Sequence, residues 1–189
     1  MITTYLDFVG NLYIPNSAPS LAEGANLGKL IDIHEAKMLK DILGFKMYDL
    51  MLTNINQGSG IWHDLIAGAS YIDLNNQTQY WDGFREVGKN PIANYIYCQW
   101  QKQNTTQTTS LGEKAGKAEN TDNGNAIYKY KESWNSMVDM LIVLDEFITI
   151  NKDDYPDYIG LTFPIDCNYY NFNRLPSNIN YFKKISTLL

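Results

Sequence analysis

The chain has few of the residues that carry most protein chemistry. It has two histidines, His34 and His63, and two cysteines, Cys98 and Cys167, in 189 residues. Two cysteines do not frame a domain of this size, so both are read as thiols of a reducing compartment. Neither histidine has a second His or a Cys at ligand spacing, and His-Glu-x-x-His does not occur, so no metal site is expected. His34, in "IDIHEAK", falls inside an amphipathic helix and is expected to be packed. His63, in "IWHDL", precedes Asp64, and adjacent residues diverge on a helix, so no working pair is expected there. Cys98 sits in "YIYCQW", an aromatic mid-helix setting where a thiol is inert. Walker A, Gly-x-Gly-x-x-Gly and Gly-x-Ser-x-Gly patterns do not occur, so no phosphate cradle or nucleophile elbow is expected.

Positive charge is also scarce. Lys and Arg number 15 against 21 Asp and Glu, for a net charge of −6, and no basic cluster stands out. Specific nucleic-acid binding through a phosphate-neutralising face is therefore not expected. No run approaches the ~18 to 20 apolar residues of a membrane span, and "MITTYLDFVGNLY" has no basic region of the secretory kind. Carboxylates gather in "DEF" at 145–147 and "KDDYPD" at 152–157. A paired-carboxylate hydrolase would use such groups. These fall at a helix end and in a proline-containing turn, where solvated acids are the plainer reading. No alternating oxygen ligands closed by a Glu form a calcium loop. The expectation is that there are no catalytic, cofactor-binding or metal-binding residues, and hence no enzyme.

Hydrophobic residues make up 44% of the chain and aromatics 13%, enough for a real core. "SLAEGANLGKLIDIHEAKMLKDILGF" predicts the first helix. Ser20 and Glu23 match a capping box, Leu27, Leu30, Ile31, His34, Met38 and Ile42 follow helical spacing, and Gly44 is a stop signal. A second helix follows, with Phe45, Tyr48, Met51, Leu52 and Ile55 as its apolar positions. "IWHDLIAG" predicts a short helix ending at Gly68. "ASYIDLNNQTQYWDGF" predicts a hairpin turning at Asn75–Asn76. Asn90 and Pro91 read as N-cap and first helical residue, with Ile92, Tyr95, Ile96 and Gln99 or Trp100 on one face. "NAIYKYKESWNSMVDMLIVLDEFITIN" is the longest helix. Its stripe is Ile127, Trp134, Met137, Val138, Leu141, Leu144 and Ile148, and Met140, Ile142 and Val143 widen it into a centre buried on most sides.

The fold class is thus mainly α: a bundle of about four main helices with a small β-hairpin, a long polar loop and extended terminal arms. Residues 1–20, broken by Pro15 and Pro19, read as an arm with a short strand near Thr4–Val9. Residues 21–150 form the helical domain, and 151–189 an irregular tail.

The loop is the unusual part. From Gln101 to Gly124 the sequence has one large apolar side chain, Leu111. So long a polar connection is uncommon inside a compact domain. Ordering it costs roughly 1–2 kcal/mol per residue of backbone entropy, with little apolar burial to offset that. Either the stretch stays a mobile surface loop, or another molecule supplies the missing contacts, and its composition leans in part toward the second. Leu111, Ala115 and Ala118 fall at helical spacing, with Lys114, Lys117 and Glu119 as charge partners. Leu111, Lys114, Lys117 and Glu119 are therefore the candidate subunit-contact residues.

Three segments carry a resemblance. "LKDILGFKMYDLM", "YWDGF" followed by "NPIANYIYCQW", and "TTSLGEKAGKAEN" before the long helix, spanning roughly residues 20–150, resemble the head–tail connector (adaptor, or head-completion) proteins of tailed bacteriophages, in the form seen in crAss-like and other Bacteroidetes phages. The resemblance implies a virion neck component assembled in the host cytoplasm. It implies a homo-oligomeric ring of twelve copies under the portal protein, joined to tail or further neck proteins, with genomic DNA passing through its channel unbound. It implies no cofactor and no membrane. A second reading is a carbohydrate- or ligand-binding virion module using Trp62, Trp81, Trp100 and nearby tyrosines.

Overall fold

The computed structural model describes residues 1–109, 112–115 and 124–161, with side chains described for 1–104 and 128–161. The fold is mainly helical with small antiparallel pairs. Helices α1 (Ala22–Leu43), α2 (Phe45–Thr53) and α3 (Ile61–Ala67) precede strands β1 (Ala69–Ile72) and β2 (Thr78–Trp81). Helix α4 (Pro91–Thr105), strands β3 (Thr106–Thr109) and β4 (Gly112–Ala115), and helix α5 (Gly124–Ile150) follow.

Helix α4 is the centre of the bundle. It packs most extensively on α5 and next on α1, and every residue from Pro91 to Cys98 is buried. The sequence pattern pointed to one apolar face, but this helix has neighbours on all sides over its first two turns. It starts as expected: Asn90 Oδ1 accepts from the N–H groups of Ile92 (2.9 Å) and Ala93 (3.3 Å), satisfying donors that a helix start leaves unpaired. Helix α5, about 40 Å long at 1.5 Å per residue, buries Trp134, Met137, Val138, Leu141, Leu144 and Ile148. Ile142 is 43% exposed, so its centre is two-sided rather than buried on most sides.

Gly44 separates α1 from α2 at φ +77°, a left-handed angle that costs glycine nothing. The turn rotates α2 so that Met47 and Met51 face the core, while Phe45 is left 73% exposed. Of the apolar positions expected from spacing, Met51 is buried, Tyr48 and Ile55 pack half-buried against the core, and Phe45 and Leu52 are exposed. The Ser20–Glu23 capping box does not form: α1 is capped at Leu21 with no side-chain hydrogen bond. The chain enters the helix with the Leu21 N–H donating to the Ala18 carbonyl (2.9 Å), and Gly24 lies close against the Ser17 and Ala18 carbonyls.

The N-terminal residues correct a larger expectation. They form no strand and do not project as an arm. Two 3-10 turns, Tyr5–Asp7 and Gly10–Leu12, fold the segment onto the bundle and bury Ile2, Phe8, Leu12 and Ile14. The anchor is Glu35 on α1. Its carboxylate accepts from the Ile2 N–H (2.9 and 3.0 Å to the two oxygens) and the Thr3 N–H (2.6 Å). Asn90 Nδ2 donates to Thr3 Oγ1 (3.2 Å) and Asn11 Nδ2 donates to Glu132 Oε1 (2.7 Å), so the segment also engages α4 and α5. A capping box does occur in this segment, at Thr4 and Asp7.

Strands β1 and β2 pair antiparallel with Ala69 opposite Trp81 and Ile72 opposite Thr78. The turn lies where sequence placed it, with Asn76 at φ +59°. At the other end of the chain, Asn151 to Leu161 turn back on the bundle and bury Tyr155, Tyr158 and Leu161. The rest of the expected irregular tail, including Cys167, lies outside the described residues.

Candidate functional site

The polar stretch that sequence presented as a loop is partly regular. Gln101–Thr105 complete α4. Thr106–Thr109 and Gly112–Ala115 then pair antiparallel, with Thr106 opposite Ala115, Gln107 opposite Lys114, Thr108 opposite Glu113 and Thr109 opposite Gly112. Three threonines favour extended backbone, which explains why a helix ends at Thr105 without a proline. Of the candidate contact residues, Lys114 lies on β4. Leu111, Lys117 and Glu119 lie outside the described residues, as does Ala118. Ala115 is in a strand, so the helical spacing proposed for it does not apply.

These two strands form a sheet of their own. Beyond their mutual pairing, the closest packing is β3 against the end of α4. An isolated two-stranded hairpin is marginal in water, and this one has no large apolar residue in either strand. A two-stranded sheet has two outer edges, and an outer edge is the usual template for strand addition.

The other end of the bundle is built differently. The β1–β2 turn is held by Asp73, whose carboxylate accepts from the Asn75 N–H (2.8 Å), the Gln77 N–H (2.8 Å) and Gln79 Nε2 (3.0 Å). These bonds, led by Gln77, hold its pKa below the ordinary carboxylate value. The turn presents Leu74 at 91% exposure, flanked by exposed Ile72 and Tyr80. Tyr71 OH donates to Glu146 (3.1 Å) and Tyr158 OH donates to Asp145 (2.7 Å). Burial first, then the facing carboxylate, pushes both phenols far above the ordinary tyrosine range. Asp145 and Glu146 thus act as acceptors that tie the hairpin and the terminal turn to α5.

A cleft of about 250 Å³ opens nearby, lined by Met47, Leu50, Trp62, Asp154, Tyr155, Pro156 and Asp157. Trp62 meets the Tyr155 ring edge-on at 6.0 Å. Of the three tryptophans read as a ligand platform, only Trp62 lines it. Trp81 is 1% exposed and donates its indole N–H to the Leu65 carbonyl at 2.8 Å, so it offers no face to a ligand. Trp100 stacks on Tyr97 at 5.9 Å, with its indole nitrogen buried and unpartnered.

His34 stands edge-on to Tyr95 at 5.8 Å, and burial, reinforced by Lys37 and Lys102, lowers its pKa. His63 Nδ1 does reach Asp64 Oδ1, at 3.5 Å, although the two are adjacent. Both are on the short helix α3, where they are half-buried. Cys98 is fully buried, its Sγ 3.7 Å from the Tyr130 carbonyl. Among the described residues no three His, Cys, Asp or Glu side chains converge to hold a metal, and no helix is long and apolar enough to cross a membrane.

No family model, no curated protein and no solved structure matches this chain.

Proposed function

We propose that the protein is a structural, ring-forming adaptor at the head–tail junction of a tailed phage. In this reading a ring of twelve copies docks on the portal protein and joins it to the tail or to the next neck ring, with DNA passing through the channel. The observation that carries the reading is the β3–β4 hairpin. It is a two-stranded sheet of polar sequence between the two helices that pack most extensively on each other. A neighbouring chain that adds a strand to an outer edge would pair with its backbone N–H and C=O groups. A contact between two different surfaces, repeated by rotation, closes into a ring.

Magnitudes show what the hairpin does and does not supply. A four-residue edge offers on the order of two to four backbone hydrogen bonds, at a net ~1 kcal/mol each. Micromolar association needs about 8 kcal/mol. The hairpin therefore sets register, while buried apolar area supplies the rest. Leu74, Ile72 and Tyr80, exposed on a rigid turn, are suited to that part. The ligand-binding alternative draws less support, because Trp81 is sealed in the core.

The test is assembly. Because Thr106 and Ala115 are cross-strand neighbours, residues 106–115 can be replaced by a Gly-Gly link with little strain on α4 or α5. The native chain, alone or mixed with its portal, is expected to give rings by light scattering and negative-stain microscopy. The deletion is expected to keep its helical circular dichroism and stay monomeric. Normal rings from the deletion, or a native chain that never leaves the monomer even with portal present, would refute the proposal.

A further inference from the structure

We propose that the cleft between α2, α3 and the turn after α5 is a binding site for a basic side chain, the guanidinium of an arginine or the ammonium of a lysine, presented by a partner protein. This cleft does not involve the β3–β4 hairpin, so the proposal is independent of the neck reading.

The lining supplies two chemistries in the order such a side chain needs. Met47 and Leu50 of α2, the Trp62 indole and Pro156 form an apolar wall against which a methylene stem can lie. The polar groups at its mouth are acidic. Asp154 is exposed and forms no ion pair among the described residues. Asp157 accepts from Lys46 at 2.7 Å. Asp64, on the helix that carries Trp62, lies outside this lining and meets His63 Nδ1 at 3.5 Å. Burial first, then Asp64 and Asp154, hold the Tyr155 hydroxyl above the usual phenol range. The phenol itself is occupied, donating to the Ile61 carbonyl at 2.6 Å. The polar capacity left for a guest is therefore anionic.

Three classes of guest can be compared. An anion meets the carboxylates of Asp154 and Asp157 and is repelled. A neutral apolar group fills the wall but desolvates Asp154 with nothing in return. A cation on an apolar stem satisfies both parts, and the Trp62 ring adds the attraction of an aromatic face for a positive charge. Among the described residues, neither Lys46 nor Lys152 fills the place: Lys46 is on Asp157 with its side chain 74% exposed, and Lys152 lines a separate hollow with Thr149 and Tyr158.

The experiment is an NMR titration of the full chain with N-acetyl-arginine amide and, in parallel, with the uncharged N-acetyl-norleucine amide. The readout is the Trp62 indole N–H resonance, identified by its loss in Trp62→Phe. The arginine probe is expected to shift it with roughly millimolar affinity, and the norleucine probe to leave it nearly unmoved. Asp154→Asn, at an exposed position that leaves the fold intact, is expected to weaken binding about two- to fivefold, as does Asp64→Asn. Lys46→Ala is expected to tighten it, and 0.5 M salt to weaken it. Equal shifts from both probes, no shift from either, or unchanged arginine binding in the Asp64→Asn/Asp154→Asn double variant would overturn the assignment.

Discussion

Replacing Glu35 with alanine isolates what holds the N-terminal segment on the bundle. Two backbone donors, Ile2 N–H and Thr3 N–H, converge on this one carboxylate, whose side chain is 11% exposed. A hydrogen bond to a charged acceptor contributes about 1.5–3 kcal/mol net, so the pair has an upper bound near 3–6 kcal/mol. The segment can fray and hydrate those donors once the carboxylate is gone, which limits the loss. Glu35→Ala is therefore expected to destabilise by about 2–4 kcal/mol in urea-induced unfolding, with a smaller change for Glu35→Gln, which keeps one acceptor oxygen. The decisive comparison is a cycle with residues 1–3 removed. In the truncated chain Glu35 has lost these partners, so Glu35→Ala is expected to cost less than about 0.5 kcal/mol. Amide exchange at Ile2 and Thr3 is expected to accelerate in the single variant. If Glu35→Ala costs the same in both backgrounds, the carboxylate is not what fastens the segment and the reasoning fails.

Two further expectations concern the β1–β2 hairpin. Asp73 has a folded pKa below its ordinary value, so it stabilises the turn fully above the ordinary carboxylate value and loses that contribution as pH falls through the folded one. The stability difference between wild type and Asp73→Asn is expected to be flat near neutrality and to shrink in acid. Asn75 and Gln77 amide shifts that titrate at or above the ordinary value would contradict this. At the hairpin base, Gly68 has φ +96°, and a Cβ there would lie 2.5 Å from the Trp81 carbonyl oxygen. Gly68→Ala is expected to cost about 3 kcal/mol or more. Gly28→Ala, mid-helix with open space around it, is expected to stabilise by roughly 0.5–1 kcal/mol. Thermal melts separate the two, and equal effects would show that the close approach at Gly68 is not constraining.

What was legible in the sequence was local. Gly44, the Asn90–Pro91 start, the stop at Gly68 and the Asn75–Asn76 turn each act through chemistry confined to a few neighbouring residues, and each stands where the pattern put it. The failures are positions where a distant partner decides the outcome. Residues 1–14 have no strong periodicity, and their place depends on Glu35, Asn90 and Glu132. Ser20 does not cap α1, which starts from Leu21 instead. Phe45 is exposed and Met47 buried because the rotation at Gly44 is set by packing, not spacing. The 106–115 hairpin carries no alternation of apolar and polar residues, so only its threonines hinted at it. The Trp62 cleft draws on residues 47 to 157 in three separate stretches, and no linear motif reports such a junction. The acids at 154 and 157 were noticed but had no aromatic wall beside them until the chain was folded.

The fastening of residues 2–14 to α1, α4 and α5 has a consequence for synthesis. These residues leave the ribosome well before Glu35, longer before Asn90, and longer still before Glu132, their partners across 33, 87 and 121 positions. Ile2, Phe8, Leu12 and Ile14 are therefore greasy and unprotected while most of the protein is still being translated. Their full set of partners is complete only once α5 has been made. Transiently exposed apolar segments of this kind are what chaperones shield during synthesis.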